Sequence, residues 1–227
     1  MRILVTAATS AEILPACEIW EALRSQADNN LFIDTVETGI GSAATAYHTL
    51  KALLANPDSP YDLAINMGIA GSFCDSLAIG TVVRVVSDFF GDCGIQTASG
   101  FQSLFDARLI DADTYPFVSG KLAPPSLSRE WESALSPISV ANGITVQHLV
   151  EDSLSASTTP PAQVETMEGA AFFYVCMNEH IPCFALRAIS NRVGEQDKSK
   201  WNIPLAIGNL SLALKDCFQR SIHHSNL

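Results

Sequence analysis

The sequence predicts a single-domain α/β protein with a three-layer α/β/α arrangement around a central mixed, mostly parallel sheet. Three observations lead there. Apolar runs of strand length alternate with runs of helix length along most of the chain. The 227 residues contain no internal repeat and no low-complexity linker, which suits one domain spanning 1–227. Hydrophobic residues make up 48% and charged residues 16%, enough for a sizeable core and unlike a disordered chain.

The elements follow in order. Arg2 to Ala7 is a short apolar strand that feeds a helix over about 13–26. Phe32 to Thr38 alternates as a strand does, Gly39-Ile40-Gly41 is a turn, and the Ala-rich stretch 42–55 is a helix ended by Asn56-Pro57-Asp58-Ser59-Pro60. Leu63 to Asn66 reads as a buried strand, followed by a glycine-bearing loop, Gly68-Ile69-Ala70-Gly71-Ser72. Gly80 starts a strand over 81–87. Residues 88–139, with Pro116, Pro124, Pro125 and Pro137, read as strand edges, a long loop and one short helix near 127–135. A strand over 143–150 follows. The stretch Val164 to Arg192 is a polar start, an apolar helix, a turn at Ile181-Pro182 and an apolar strand, and a last helix covers 203–220.

Charge and composition exclude several partners. The formal net charge is -11, against the basic patch that nucleic acid or an anionic membrane surface requires. No apolar run reaches the roughly 20 residues of a bilayer span. Met1-Arg2-Ile3-Leu4-Val5 runs straight into a strand, so no signal peptide is expected. The six cysteines form no C-x-x-C pair and read as buried free thiols of a cytoplasmic protein. The five histidines show no ligand spacing, so no metal is expected. A small-molecule substrate is the partner left open.

A few polar residues sit where a core would not choose them. In open α/β sheets ligands bind beyond the carboxyl ends of the strands. Glu12 lies at such a strand-to-helix mouth. It also fits a capping box with Thr9, but that reading places Pro15 inside the helix, where it deletes a hydrogen bond at about 3 kcal/mol. Glu168 opens an otherwise apolar helix. It either complements the helix dipole, worth roughly 0.3–1 kcal/mol, or accepts hydrogen bonds from a sugar diol. Arg187 lies within an apolar strand and needs a carboxylate such as Glu12 or Glu168, or a ligand. Asn191, at that strand's end beside Ser190, offers a donor and an acceptor, or closes a turn. The glycine spacings at 39, 41, 68 and 71 match neither a dinucleotide fingerprint nor a P-loop.

Four segments, matching in order and spacing, resemble the nucleoside phosphorylase/hydrolase superfamily and its nucleosidase branch. They are the first strand with Glu12, G-I-G at 39–41, N-M-G-I-A-G at 66–71, and M-E-G-A-A at 167–171 with R-A-I-S-N at 187–191. Within that branch the chain looks like the futalosine-hydrolysing subfamily. It carries S-N in place of the S-D of the methylthioadenosine/S-adenosylhomocysteine nucleosidases, W-N-I-P-L-A-I at 201–207, and G-F-x-S-L at 100–104. The resemblance implies an N-ribosyl hydrolase of a purine nucleoside that needs no metal and no organic cofactor, and a homo-oligomer. Glu12 would deprotonate the attacking water with help from Arg187. Glu168 would bind the ribose hydroxyls over Met167, and Asn191, oriented by Ser190, would read the purine at N7 and the six-position. Ala70 and Gly71 would line the sugar and water site with backbone. The chain departs from that pattern at Ile69, where nucleosidases carry a Ser, and at Thr166, where they carry an acid. The aromatic that stacks on the purine has no clean equivalent near 146–152, leaving Phe89, Phe90, Phe101 and Trp201 as substitutes. A methylthioadenosine-type nucleosidase, a purine nucleoside phosphorylase and a catalytically silent nucleoside-binding protein are the rival readings.

Overall fold

In a computed structural model, which describes residues 1–24, 31–98, 100–148, 161–195 and 197–224, strand β1 (Arg2–Ala7) sits in the middle of the N-terminal half. Its side chains alternate between two cores, as the pleat requires. Ile3, Val5 and Ala7 enter one, and Leu4 enters the other. On either side lie β2 (Phe32–Glu37) and β3 (Leu63–Ser72), both parallel to β1.

β3 is the pivot of the sheet. Along its length it pairs in parallel with β9 (Cys183–Arg192), with a register shift between Ala70 and Gly71. Its last two residues also pair, antiparallel, with β8 (Val164–Thr166). β8 continues in parallel to β7 (Ser139–Thr145), β7 in parallel to β4 (Val82–Ser87), and β4 antiparallel back to β9. The pairings therefore close a ring, β3–β8–β7–β4–β9, with β1 and β2 as an open extension. The sheet is thus not open throughout, as the sequence reading assumed. A separate hairpin, β5 (Gly94–Thr97) with β6 (Gly100–Ser103), falls in the stretch expected to be irregular.

Helices fill both cores. α1 (Ser10–Arg24), α3 (Arg129–Leu135) and α5 (Ile203–His224) pack over β1, β3 and β9 through residues such as Met67, Trp131, Phe184, Leu214 and Phe218. Trp131 sits 5.6 Å from Phe184 and 5.5 Å from Phe218 between ring centres, the latter edge-on. α2 (Ser42–Leu54) and α4 (Gly169–Asn178) cover the other core, with Phe172, Phe173 and Cys176 fully buried. Burying each of those rings stabilises the fold by about 1.5–3 kcal/mol.

Three boundaries differ from expectation for physical reasons. β3 runs on through Gly68–Ser72, read from sequence as a loop, because those glycines serve close packing within a strand. A Cβ at Gly68 would lie 3.0 Å from Glu12 Oε1, and one at Gly71 would lie 2.9 Å from a Val193 methyl. α1 begins at Ser10 and takes in Pro15. The carbonyl that Pro15 leaves unbonded belongs to Ala11, which is exposed and open to water. The strand expected over 143–150 runs instead from Ser139 to Thr145, with positions 149 and 150 outside the described residues. All six cysteines are free, but only Cys176, Cys183 and Cys217 are buried, and Cys93 is exposed. Among the described residues no helix is long and apolar enough to cross a membrane.

Candidate active site

The carboxyl ends of β1, β3 and β9 and the β8–α4 junction open onto one cavity of about 810 Å³. Glu12, Ala70, Gly71, Met167, Glu168, Ser190 and Asn191 all line it. Of the residues expected at the site, only Arg187 is elsewhere, buried beneath the cavity floor.

Glu12 satisfies both readings of its position. Its Oε2 accepts from the Thr9 backbone N–H at 3.1 Å and from Thr9 Oγ1 at 2.7 Å, half of a capping box. Its Oε1 accepts from the Ile69 N–H at 2.9 Å. Ile69 lacks the Ser hydroxyl of the nucleosidases but holds the acid through its backbone. Three donors thus fix a buried carboxylate; Oε2 is fully occupied, and Oε1 keeps one lone pair.

Glu168 sits at the N-cap position of α4, yet its side chain makes no capping bond. Instead Oε1 accepts from the Gly41 N–H at 2.9 Å across the cavity, and Oε2 accepts from the Met167 N–H at 3.3 Å. Gly41 has φ +92°, a conformation L side chains rarely adopt, which aims its N–H at Glu168. Gln147 ties the same turn down: its Oε1 accepts from the Ser42 N–H at 2.9 Å, and its Nε2 donates to the Met167 carbonyl at 3.2 Å. Burial raises the Glu168 pKa; the Gly41 N–H and then the charge of Arg187 oppose the rise.

Arg187 does not hydrogen-bond to either carboxylate, contrary to the sequence expectation. Its guanidinium donates to the Asn66 carbonyl at 3.2 Å, to the Leu186 carbonyl at 2.9 Å and to Asn66 Oδ1. Asn66 Nδ2 in turn donates to Thr6 Oγ1 at 3.0 Å. The carboxylates act on Arg187 through space: burial lowers its pKa, while Glu168, Glu12 and Asp88 raise it. Three of the five guanidinium N–H groups are thus bonded to neutral partners, and the nearby anions compensate its charge.

Asn191 is held by two bonds. Its Nδ2 donates to the Arg192 carbonyl at 2.9 Å, and its Oδ1 accepts from Ser190 Oγ at 2.7 Å. A carbonyl can only accept, so the Arg192 contact fixes which end of the amide is nitrogen. One N–H and one lone pair remain for a ligand.

Sequence reasoning missed several participants. Asn66 holds Arg187 and was legible only as a polar residue at the end of an apolar strand, whereas Thr9, which holds Glu12, was read as its capping partner. Asp88 is fully buried, with Oδ1 accepting from the Phe89 N–H and Thr145 Oγ1 and with Oδ2 unpaired. Burial pushes its pKa up to about 7 against those two bonds and the charge of Arg187. Glu165 lines the cavity and is also pushed up to about 7, first by burial and then by Asp92. Of the four aromatic substitutes only Trp201 lines the cavity, its Nε1 donating to the Glu195 carbonyl at 2.8 Å. Phe89 packs against Ile144 and Val146, Phe90 against Tyr174, and Phe101 lies on the hairpin. Ile203 and Ile207 join Trp201 at the wall, so the segment 201–207 is part of the site, whereas 100–104 is not.

A carboxylate fixed by backbone, a second carboxylate at a helix start and an amide at a strand end are grouped at the carboxyl ends of this sheet. The family model of the phosphorylase superfamily matches residues 29–219, and the chain belongs to that superfamily. Among curated relatives it is 31% identical to the futalosine hydrolase of Streptomyces coelicolor over 186 residues, covering 80% of this chain and 76% of that protein. It is 30% identical to the futalosine hydrolase of Thermus thermophilus, covering 79% and 78%. Among solved structures, futalosine hydrolase of Helicobacter pylori superposes with a TM-score of 0.76 over 96% of this chain and 97% of that one, at 17% identity. A methylthioadenosine/S-adenosylhomocysteine nucleosidase from the same organism superposes at 0.75 over 96% and 98%, also at 17% identity. The two structures share the mixed α/β fold with its central sheet.

Proposed function

We propose that this protein is a futalosine hydrolase on a nucleoside phosphorylase-like α/β/α layering, an N-ribosyl hydrolase that releases hypoxanthine and dehypoxanthine futalosine in cytoplasmic menaquinone biosynthesis. The observation that carries this reading is the orientation of Asn191. With one N–H on the Arg192 carbonyl and one lone pair taken by Ser190, the free N–H suits a 6-oxo group and the free lone pair suits N7–H. A 6-amino group would set donor against donor, at about 1–3 kcal/mol.

The remaining roles follow from the geometry. Glu12 takes a proton from water through a lone pair its three donors leave free, worth roughly 10²–10⁴-fold as general-base catalysis. Glu168 receives the ribose 2′- and 3′-hydroxyls on the lone pairs that Gly41 and Met167 do not occupy. The charge of Arg187 favours its ionised form. Met167 packs under the sugar, and the backbone at Ala70 and Gly71 lines its other side. The two carboxylates favour the positive charge that grows on the sugar as the bond to the base breaks.

Water rather than phosphate fits as the nucleophile. Arg84 is committed to Glu132 by two bonds of 2.7 and 3.0 Å, and Arg192 to Ser72 and the Cys74 and Leu77 carbonyls. Among the described cavity-lining residues Lys198 is the one lysine or arginine. A cavity of about 810 Å³ lies in the upper part of the range for drug-sized ligands, consistent with a nucleoside carrying an aryl substituent. Exposed Tyr47 and Leu54 on α2 are the surface we assign to a homo-oligomer. The test is incubation with futalosine, inosine and methylthioadenosine, with and without phosphate, following the free base. Phosphate-independent release of hypoxanthine is expected; release of adenine without hypoxanthine overturns the reading.

A further inference from the structure

The amide at 191 leaves the departing base without a proton donor, because a carboxamide N–H is not an acid. Two carboxyl groups at the cavity, Glu165 and Glu195, are used by none of the roles above, and Glu195 is already paired with Lys200 at 2.8 Å. Glu165 is 8% exposed, and what exposure it keeps faces the cavity. Among the described residues no donor and no cation reaches its oxygens.

Its position is set by strand register. Gly71 on β3 pairs with Glu165 on one side and with Asn191 on the other. Residues paired across a sheet project to the same face, so Glu165 and Asn191 flank a rung that carries no side chain. A Cβ at Gly71 would come within 3.3 Å of Asn191 Nδ2, so the amide overhangs the gap. The two flanking Cα atoms are two strand spacings apart, about 9.5 Å, a gap that a flat bicyclic base can span.

We propose that Glu165 is the catalytic acid of the purine subsite, protonated in the resting enzyme and donating to a ring nitrogen of the departing base. This rests on the nucleosidase reading above. The step balances without a co-reactant. The C1′–N9 bond breaks with its electron pair going to the base, which takes the proton of Glu165. The oxygen of water bonds to C1′ and gives its proton to Glu12. Once the products leave, Glu12 releases that proton to solvent and Glu165 takes one up.

The surroundings favour a protonated resting state. A carboxylate at this depth, with no partner among the described residues, carries a desolvation cost. Of the groups facing it, Asp92 in the loop after β4 opposes its ionisation. Asp88 lies beneath, against Gly143 and Gly169. His148 beyond β7, Glu12, Glu168, Glu195 and Lys198 share the cavity wall. Burial holds the group near pH 7, so the form that donates is lost as pH rises through about 7.

The test compares leaving groups. kcat is measured for the unaltered enzyme and Glu165→Gln on futalosine and on p-nitrophenyl riboside, whose nitrophenolate departs without a proton. A fall of at least about 100-fold on futalosine is expected, with turnover of the nitrophenyl riboside nearly kept, which also shows the variant folded. The descending limb of kcat above about pH 7 should vanish in Glu165→Gln. An equal loss on both substrates, or a limb that persists in the variant, overturns the proposal. An unaltered enzyme that cleaves inosine but leaves futalosine intact overturns the substrate reading alone, and the same comparison then decides the acid with inosine.

Discussion

Replacing Asn191 by Asp tests the purine reading most directly, because it changes one donor into an acceptor at nearly constant shape. In the folded protein the amide nitrogen donates to the Arg192 carbonyl at 2.9 Å, while Ser190 Oγ donates to the other end. The aspartate keeps the Ser190 bond and sets an oxygen against the Arg192 carbonyl. Losing that bond costs about 1–3 kcal/mol, which for a chain of this size lowers Tm by about 2–4 °C per kcal/mol. At the base, the free N–H that meets a 6-oxo group is gone, at about 1–3 kcal/mol, and the matching penalty against a 6-amino group is removed. The preference between the two therefore swings by about 2–6 kcal/mol, or from about 30-fold to 10⁴-fold in the ratio of kcat/KM values. The lower end is expected, because a carboxyl facing a carbonyl holds a proton part of the time and then donates as the amide did. The assay is base release from futalosine and from its 6-amino counterpart, quantified by chromatography, with Tm read in parallel. A kcat/KM ratio that stays within about threefold of the unaltered enzyme refutes the placement of Asn191 against the purine.

The other expectations are simpler. Glu12→Gln should keep substrate binding and lower kcat by about 10²–10⁴-fold; binding measured by calorimetry with turnover unchanged would remove Glu12 from its role as base. Gly41→Ala forces an L residue to φ +92° and a Cβ to within 2.9 Å of Gln147 Oε1. A cost of about 1–3 kcal/mol in stability and a roughly tenfold rise in KM are expected, since the N–H that holds Glu168 moves; an unchanged KM would show that Gly41 does not position it. Asp88 has a folded pKa of about 7 against an ordinary 3.8, so the folded state binds the extra proton between those values and stability falls as pH rises through that window. The difference corresponds to about 4 kcal/mol, and denaturant unfolding at pH 5 and pH 8 should show a shallower pH dependence in Asp88→Asn. Some slope should persist from Glu165, which titrates in the same window. An identical slope in the variant would show that Asp88 is not its source.

Much of the fold was legible because its signals are local. β1, α2, α4 and β9 announce themselves by apolar or Ala-rich runs of the right length, the last three bounded by glycine or proline. What could not be read was set by distant partners. The ring closes through a two-residue antiparallel contact at Gly71 and Ser72 and through β4 against β9, pairings that leave no period in the sequence. Gly68 and Gly71 looked like a loop because glycine usually marks one, yet here they let Glu12, Val193 and Asn191 approach a strand. At the site, Glu12, Glu168, Arg187 and Asn191 stood out as polar residues in apolar surroundings, and the cavity places three of them on its wall. Asn66 and Glu165 carry the same signal, but Asn66 was read as the end of a strand and Glu165 as the polar start of a helix. Position along the chain gave no hint that one lies under Arg187 and the other faces Asn191 across Gly71.

The exchange of an acid for an amide at position 191 makes sense only with the rest of the charges in view. Breaking the bond to ribose builds positive charge on the sugar and negative charge on the base. In the proposed mechanism Glu12 and Glu168 flank the sugar side, and their field favours that positive charge. Arg187 offsets part of it from below, close enough to act on both carboxylates without occupying their lone pairs. A third ionised acid on the base side would oppose the negative charge growing there. An amide at 191 avoids this while still discriminating the six-position, and a buried acid at 165 that keeps its proton until the bond breaks adds no charge beforehand. Recognition and proton transfer, combined in one residue where the nucleosidases carry S-D, are on this account divided between the two residues that flank Gly71. The division predicts that a 6-amino substrate is discriminated through Asn191 and the leaving-group dependence is set through Glu165, so that Glu165→Gln moves the second measurement and leaves the first in place.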